Sequence, residues 1–367
     1  STCTYTDIQS AIDAAPDGAT IQVGPGTYQE NLVITDGRSL NLVSTDGATS
    51  TILDGGGSGS CLYVTSSPLV TVTGFTIQNG SGSLINPGDH GGGICVDSAN
   101  LTLNSCQIIG NTAKWGGGAY LQYGHLIVND CQFSGNSVVN PENNGEQGGA
   151  ICTSYCNLTV TNSQFTNNSS GVTSGDGIGG AIACDLRSPD NFLTVSNSNF
   201  TDNYAGEGGG AIETHNAGAA VTIAGCLFTN NISSSGGAIQ TKDTDFSCTD
   251  STFTNNQATL VSSCDSEDGG AIQILNGGCT NDDPIDTDFE LINCSFISNI
   301  ASNSACSIRN VAGEILIQYC LFDDNEATTS NGVVGGAALM MIKSAGLVDS
   351  CLFTNNRCPN NGNNGSA

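Results

Sequence analysis

Basic residues are scarce in this 367-residue chain, which has 7 Lys and Arg against 34 Asp and Glu and a net charge of -27. Binding to phosphate backbones or anionic lipid surfaces depends on clustered bases, so nucleic acid and membrane surfaces are not expected partners. Long apolar runs are also missing, because the longest, at 335–342, falls short of the ~20 residues that a membrane helix needs. We therefore expect a mature, soluble chain without membrane insertion.

Charged residues make up only 11% of the chain, whereas it contains 49 Gly and 17 Cys. This composition is typical of a turn-rich β protein from an oxidising compartment. The only close cysteine pair is Cys152 and Cys156, and no second pair answers it at zinc-finger spacing, so disulfides are expected. Frequent Asn-x-Ser/Thr sequons add to the prediction of a secreted glycoprotein. The sequons begin at Asn79, Asn100, Asn157, Asn167, Asn168, Asn199, Asn231, Asn293 and Asn364.

Two motifs alternate along the chain. The first reads Cys/Ser-x-Phe-x-x-Asn, and it recurs nine times between Ile108, which takes the Phe position in the first copy, and Phe353. The second is Gly-Gly-Ala-Ile, whose Ile returns every 27 to 33 residues from Ile151 to Ile272. Such intervals fit a coil of three short strands and three turns. The sequence predicts an all-β fold, a right-handed parallel β-helix forming a single-stranded solenoid of about a dozen coils.

Stacked coils rise by about 4.8 Å, so each repeated residue should form a ladder. Phe should stack inside the core, and Asn should form amide-to-amide hydrogen bonds at the turns. We interpret these residues as scaffold rather than site. The predicted divisions are a cap with the first coils at 1–60, the repeat β-helix at 61–357 and a polar tail at 358–367.

Residues 90–357 resemble the repeat of chlamydial polymorphic outer-membrane proteins, which alternates the same two motifs. This resemblance implies a β-helical passenger domain that acts in surface adhesion, and it supplies no catalytic residues. The first 80 residues, with Asp7–Pro16, Ile21–Tyr28 and Glu30–Leu32, resemble the opening of pectin-lyase-like β-helices, including pectin methylesterases. There Ala11–Ala15 is expected to form a short helix that caps the open end of the core.

Many β-helices that resemble this opening act on polysaccharides, so an enzyme is the main alternative. A methylesterase site like that family's would need paired Asp residues in Gln-Asp and Val-Asp-Phe contexts, and neither context occurs. A pectate lyase would use basic residues to abstract a proton. The available arginines, Arg38, Arg187 and Arg309, lie far apart in the repeat.

Glycoside hydrolysis needs two carboxylates about 5 to 10 Å apart. Asp202, Glu207 and Glu213 form the best candidate group, against the alternative that they are solvated loop acids. His90, His125 and His215 belong to different coils at different registers. Neither a metal triad nor a Ser-His-Asp arrangement is predicted.

A long insertion concentrates carboxylates at alternating positions, which suits Ca²⁺. The candidate ligands are Asp282, Asp283, Asp286 and Asp288. The segment lacks the EF-hand Gly and terminal Glu, and the alternative is a solvated acidic loop. No other cofactor is expected.

Trp115, the only Trp, lies near Tyr120, Tyr123 and His125 in the sequence. These rings are candidates for stacking on a sugar or a partner protein, against the alternative of core packing.

Strand alternation predicts which sequons carry glycans. Asn100, Asn157, Asn199 and Asn293 neighbour inward residues and should face solvent, and Asn79 is a further candidate site. Asn168 and Asn231 belong to the inward Asn ladder and should be bare.

Cysteines at one motif position on successive coils lie within disulfide reach, so they are expected either to be bonded or to pack as thiols. These positions are Cys106 with Cys131, and Cys294 with Cys320 and Cys351. Cys3 and Cys358 lie near opposite termini, which would permit head-to-tail joining.

The leading interpretation is a non-enzymatic extracellular or cell-surface structural or adhesive glycoprotein, which a fibre or surface appendage would use as a subunit. Its expected partners are copies of itself, other extracellular proteins or glycans. The alternatives are a polysaccharide-active lyase or hydrolase and a ligand-binding module. An enzyme requires an outward groove with converging acids.

Overall fold

The computed structural model describes residues 4–35, 37–82, 89–139, 147–171, 177–259, 269–275, 287–302, 307–328 and 337–358. It is a right-handed parallel β-helix, as predicted. Three parallel sheets of 17, 12 and 8 strands run along the solenoid, and all strand pairs within them are parallel. None of the helices in the described ranges is long and apolar enough to span a bilayer.

The first sheet has two arms, because the chain bends within each coil and contributes two strand segments. The first arm begins at residues equivalent to Ile212, and the second begins at residues equivalent to Val221. Its strands are β1 (Ala19–Val23), β3 (Leu32–Ile34), β4 (Leu40–Ser44), β6 (Leu62–Thr65), β7 (Val70–Thr73), β9 (Ile94–Asp97), β10 (Leu101–Asn104), β13 (Ala119–Asn129), β16 (Ile151–Thr161), β19 (Ile182–Asp185), β20 (Phe192–Ser196), β23 (Ile212–Ala224), β26 (Ile239–Thr249), β29 (Ile272–Leu275), β30 (Asp288–Ile292), β33 (Ile308–Gln318) and β36 (Leu339–Asp349).

The second and third sheets carry the Phe motif and the residues that follow it. The second sheet contains β2 (Gly26–Tyr28), β5 (Thr51–Asp54), β8 (Thr76–Gln78), β11 (Gln107–Ile109), β14 (Gln132–Ser134), β17 (Gln164–Thr166), β21 (Asn199–Thr201), β24 (Leu227–Thr229), β27 (Thr252–Thr254), β31 (Ser295–Ile297), β34 (Leu321–Asp323) and β37 (Leu352–Thr354). The third contains β12 (Thr112–Ala113), β15 (Ser137–Val138), β18 (Ser169–Ser170), β22 (Tyr204–Ala205), β25 (Ile232–Ser233), β28 (Gln257–Ala258), β32 (Ile300–Ala301) and β35 (Glu326–Ala327).

Helix α1 (Ile8–Ala14) caps the N-terminal end of the core, where Ile8 and Ile12 are buried. It starts three residues earlier than predicted, because the Asp7 carboxylate accepts a hydrogen bond from the Ser10 amide. Glu30 also accepts from the first amides of the helix, including that of Ile8 at 3.0 Å. These contacts satisfy amides that would otherwise lack partners at a helix start.

The Phe motif forms a continuous stack inside the solenoid, as predicted. From Phe133 to Phe353 successive rings lie 4.7 to 5.0 Å apart with interplanar angles of 3 to 8°. The stack is buried through Phe322, whereas Phe353 in the last described coil is 45% exposed. Helix α1 thus covers the N-terminal coils, and Phe353 is the most exposed ring of the described stack. Head-to-tail joining stays a prediction.

The Asn ladder is hydrogen-bonded at every level from Asn111 to Asn356. At a typical level the Asn231 side chain accepts from the amide of Asn203 at 3.2 Å and donates to the carbonyl of Phe200 at 3.0 Å. Its Nδ2 also donates to Oδ1 of Asn256 at 2.9 Å. The backbone groups of each buried turn thus find their hydrogen-bond partner in the Asn side chain of the next coil.

A ladder of Cys and Ser precedes the Phe stack and contains six of the 17 cysteines. Several of its side chains accept from the amide of the preceding coil, as when Cys106 N–H donates to Sγ of Cys131 at 3.4 Å and Cys131 N–H donates to Oγ of Ser163 at 3.1 Å. Each also donates to the carbonyl two residues earlier, as Ser163 does to Thr161 at 2.8 Å. Thiol and hydroxyl therefore serve the same function in successive coils.

The structure places these cysteines as thiols, which is the second of the two expected arrangements. The disulfide candidates Cys106, Cys131, Cys152, Cys156, Cys294, Cys320 and Cys351 are all free thiols in it. In-register side chains leave the sheet in parallel, so sulfurs stack rather than turn towards each other. The Sγ atoms of Cys248 and Cys294 are 3.8 Å apart, well beyond the ~2.05 Å of a disulfide. Cys152 and Cys156 belong to separate apolar clusters.

The paired glycines of Gly-Gly-Ala-Ile have two different steric roles. Gly209 has a φ of 55°, in the left-handed region that favours glycine. Gly210 instead approaches the neighbouring strands so closely that a Cβ would lie 2.7 Å from the Ile232 nitrogen and on the Gly237 carbonyl.

We predict that Gly210→Ala lowers the free energy of unfolding by about 2 kcal/mol, because the added methyl group displaces the backbone of the neighbouring coil. Gly24→Ala is the control, since a Cβ there would meet nothing within 4 Å. Equilibrium urea unfolding measures both changes. Equal effects of the two substitutions would contradict the steric role of Gly210.

Candidate functional site

The outward face of the first arm brings together three titratable side chains. Glu213 and His215 alternate outward on β23, one residue apart, on either side of inward Thr214. Asp185, at the end of β19, is in register with His215 on the adjacent coil. We call Asp185, Glu213 and His215 the histidine cluster.

His215 lies between the two carboxylates of this cluster. Its Nε2 is 3.4 Å from Oδ1 of Asp185, and its Nδ1 is 3.7 Å from Oε1 of Glu213. The side chains of Asp185 and Glu213 are only 6% and 8% exposed, whereas that of His215 is 25% exposed. The Arg187 guanidinium closes the cluster by an ion pair from Nε to the second oxygen of Asp185.

The surroundings of His215 act on its pKa in opposite directions. Burial of the imidazolium lowers the pKa, but the nearby carboxylates of Glu213 and Asp185 outweigh burial, and the charge of Arg187 opposes them weakly. The net result is a pKa raised above 6.5. Lys242 is in register with His215 on its other side.

A raised pKa gives His215 a defined pH signature. Its stabilising contribution is fully present below about pH 6.5, the value of the unfolded state, and is lost as pH rises through the folded pKa. We predict that the free energy of unfolding falls as pH rises from about 6.5 through the folded-state pKa of His215. His215→Gln should remove this decrease. His125→Gln is the control, because burial lowers the pKa of His125 and gives the opposite slope. Urea unfolding between about pH 5 and pH 9 measures the free energy of unfolding as a function of pH. If His215→Gln leaves this pH dependence unchanged, the role of the histidine cluster is contradicted.

An exposed aromatic surface adjoins the histidine cluster. Tyr123 and Tyr155 occupy equivalent corners of successive coils, with ring centroids 5.2 Å apart, and they are 49% and 37% exposed. The Arg187 guanidinium lies 5.2 Å from the centroid of the Tyr155 ring. We call Tyr123, Tyr155 and Arg187 the tyrosine shelf. Because Arg187 also holds Asp185, the shelf and the histidine cluster form one continuous surface.

The shelf tyrosines sit on left-handed backbone. Their φ values are 54° and 55°, and the preceding coils place Ser98 and Ser66 at the same corner. Left-handed corners elsewhere are mostly Asn, Asp or Ser, which tolerate this conformation better than Tyr does. Tyrosine at two stacked corners is therefore costly for the backbone and gains little burial, which points to a role at the surface.

The structure separates the acids that the sequence grouped as a hydrolase candidate. Asp202 lies at an exposed left-handed corner after β21, where its Oδ1 accepts from Asn230. Glu207 is exposed as well. Only Glu213 of that group reaches the first arm, where its neighbours are Asp185 and His215. The alternative of solvated loop acids therefore holds for Asp202 and Glu207, and the candidate group is not brought together because its members follow different sheets of the solenoid.

Sequence reasoning assigned His215 only to a coil of its own and missed its position between two carboxylates. Asp185 and His215 each lie three residues after the Ile of a Gly-Gly-Ala-Ile motif, so aligning the motifs would have placed them in register. The same alignment puts Tyr123 and Tyr155 together, four residues after Ala119 and Ile151.

The aromatic group predicted around Trp115 divides between interior and surface. Trp115 stacks on His90 at 4.6 Å, and Tyr120 is buried in a second apolar cluster with Tyr63, Cys95 and Cys152. His125 Nε2 pairs with Oγ1 of Thr159. Of the predicted rings only Tyr123 belongs to the exposed shelf. Arg38 binds the Ile12 carbonyl at 3.0 Å and Arg309 is buried, so neither reaches the shelf.

The calcium prediction lies mostly outside the described residues. This applies to Asp282, Asp283 and Asp286. Asp288 is described and exposed, and its amide donates to Oδ1 of Asp245 at 3.1 Å. Within the described ranges no three His, Cys, Asp or Glu side chains are placed to hold a metal ion.

The sequon asparagines lie as the strand register predicts. Asn79, Asn100, Asn199 and Asn293 are exposed and Asn157 is half-buried, whereas Asn168 and Asn231 are fully buried in the Asn ladder.

We predict that expression in a eukaryotic secretory pathway places glycans on the exposed and half-buried sites and leaves Asn168 and Asn231 bare, because a glycan has no room inside the ladder. Site-resolved glycopeptide mass spectrometry measures the occupancy. Glycan on Asn168 or Asn231 would contradict the register.

Comparison with known proteins finds the repeat that the motifs suggested. The model of the Chlamydia polymorphic membrane protein repeat matches residues 130–154, 225–242 and 250–274. No curated protein sequence matches the chain. Among solved structures, a pectin methylesterase mutant in complex with a hexasaccharide is similar at 14% identity and a TM-score of 0.36. The similarity covers 74% of this chain and 77% of that chain.

Proposed function

We propose that this chain is an extracellular, cell-surface β-helical glycoprotein that adheres to carbohydrate through its tyrosine shelf. The observation that carries the proposal is the pair of exposed, stacked tyrosines on left-handed corners, with Arg187 beside them. Aromatic faces with nearby polar groups suit the stacking of sugar rings. Repeats like those of a polymorphic membrane protein and the exposed sequons support a surface location.

The ladders support an adhesive rod because they leave the repeat residues no other role. The Phe side chains fill the core and the Asn side chains bind the turns. Side chains that differ from coil to coil are therefore found at outward positions. On the first arm, these positions change from the buried Tyr120 cluster to the polar histidine cluster within a few coils. One segment of the rod is thereby chemically distinct from the others.

The test is binding of fluorescently labelled neutral tetraoses of glucose, mannose and galactose, measured by titration calorimetry and polarisation. Tyr155→Asn should weaken binding by about tenfold, which corresponds to ~1.4 kcal/mol. Asn is chosen because it tolerates the left-handed corner. Tyr319→Asn is the matched control, since Tyr319 is 60% exposed with a φ of 56° on a different corner. Equal effects of both variants, or no binding by the wild type, would overturn the proposal.

A polysaccharide hydrolase is the second candidate, and the histidine cluster favours it. Two carboxylates with an imidazole between them are groups that general acid–base catalysis uses. Release of reducing ends from the bound tetraoses, lost in Glu213→Gln, would support this candidate. Under the adhesive proposal the tetraoses are recovered intact.

A further inference from the structure

Glu213 has an oxygen that nothing in the described part of the chain satisfies. Its Oε1 faces His215, but Oε2 is buried without a hydrogen-bond partner, and the residue is only 6% exposed. A buried carboxylate oxygen without a donor is unfavourable. The position therefore calls for a hydrogen-bond donor that the described residues do not supply.

Gln240 repeats this situation one coil further along. It is in register with Glu213, and its Oε1 is also buried without a partner. Gly208 makes room for this amide, since a Cβ there would lie 2.8 Å from Oε1 of Gln240. Two acceptors thus lie on adjacent coils of the first arm, at a coil spacing of about 4.8 Å, two and three coils from Tyr155.

The charges around Glu213 determine which kind of hydrogen-bond donor a ligand can bring to this site. Arg187 pairs with Asp185, Glu213 faces His215, and Lys242 is in register with His215, while the chain as a whole carries a net charge of -27. A ligand carboxylate placed against the carboxylate of Glu213 would be repelled. Hydroxyl groups donate to carboxylate and amide oxygens without adding charge.

We propose that Glu213 and Gln240 form a subsite that accepts hydrogen bonds from hydroxyl groups of a neutral hexose and rejects uronic acids. This inference rests on the proposed function, because it names the class of sugar that the tyrosine shelf would hold. The shelf would supply stacking, and the subsite would supply selectivity.

The experiment compares the neutral tetraose that binds the wild type most tightly with its C6-oxidised form, which differs only in its carboxylates. The wild type should bind the neutral form at least about tenfold more tightly. Glu213→Gln should weaken binding of the neutral form by about tenfold, because hydrogen bonds to charged groups are stronger than those to neutral groups. The ratio of the affinities for the neutral and oxidised forms should also become smaller.

Asp245→Asn is the matched control, because it removes one carboxylate charge from an exposed position on the second arm. It should leave both affinities unchanged. Gln240→Met, of similar volume, provides a second test, and thermal unfolding followed by circular dichroism verifies that each variant is folded.

Binding that depends on Tyr155 but is unchanged in both Glu213→Gln and Gln240→Met would overturn the subsite and leave the shelf intact. Equal binding of the neutral and oxidised forms by the wild type would also overturn it. Absence of any tetraose binding to the wild type would overturn the proposed function and the subsite together.

Discussion

Replacing Asn231 with alanine is expected to lower the free energy of unfolding by about 5 kcal/mol. The substitution removes the acceptor for the Asn203 amide and the donor to the Phe200 carbonyl, and both groups lie in the buried interior. Each stranded group costs about 1 to 3 kcal/mol, and the lost side chain leaves a cavity besides. Equilibrium urea unfolding of the bacterially expressed protein measures the loss.

Asn199→Ala is the control for this substitution, because Asn199 is exposed on the neighbouring coil. It should change the free energy of unfolding by less than about 0.5 kcal/mol. If Asn231→Ala also changes it by less than about 1 kcal/mol, the Asn ladder does not stabilise the turns.

Replacing Phe228 with alanine is expected to cost about 4 kcal/mol. Its ring is fully buried and stacks on Phe200 at 4.9 Å and on Phe253 at 4.7 Å. Alanine removes the ring from both stacks, and the fixed backbone of the adjacent coils cannot collapse into the space.

Phe353→Ala makes the same chemical change at the end of the stack. Phe353 is 45% exposed and stacks on one described ring only, Phe322. Its loss should cost about 1 kcal/mol, measured by the same urea unfolding. Equal losses for Phe228→Ala and Phe353→Ala would show that burial along the stack does not determine stability.

The scaffold could be predicted because its residues repeat. A single Phe or Asn contains little information about the fold. Nine copies at a coil-length period are compatible with few folds, because the fold must bury every Phe and give every Asn its hydrogen-bond partners. The same logic correctly placed Asn168 and Asn231 inside and Asn199 and Asn293 outside. Periodicity therefore determines which of these positions face inward and which face outward.

Periodicity alone did not predict the role of the cysteines or the residues of the histidine cluster. Cys131 and Ser163 share one hydrogen-bonding function, so the spacing that left disulfides and packed thiols both open corresponds to a ladder of acceptors in the structure. Asp185 and His215 are single outward residues without a repeat, and only the register between β19 and β23 brings them together. Compositional arguments treat such acids as solvated, whereas contact between coils buries them.

The most direct test of the central claim is a crystal structure of the protein soaked with the neutral tetraose that binds most tightly. We predict a sugar ring within about 4 Å of the Tyr155 ring, with hydroxyl groups of the other residues of the tetraose directed towards Glu213 and Gln240. Sugar density at another part of the solenoid, with the tyrosine shelf left uncovered, would contradict the account.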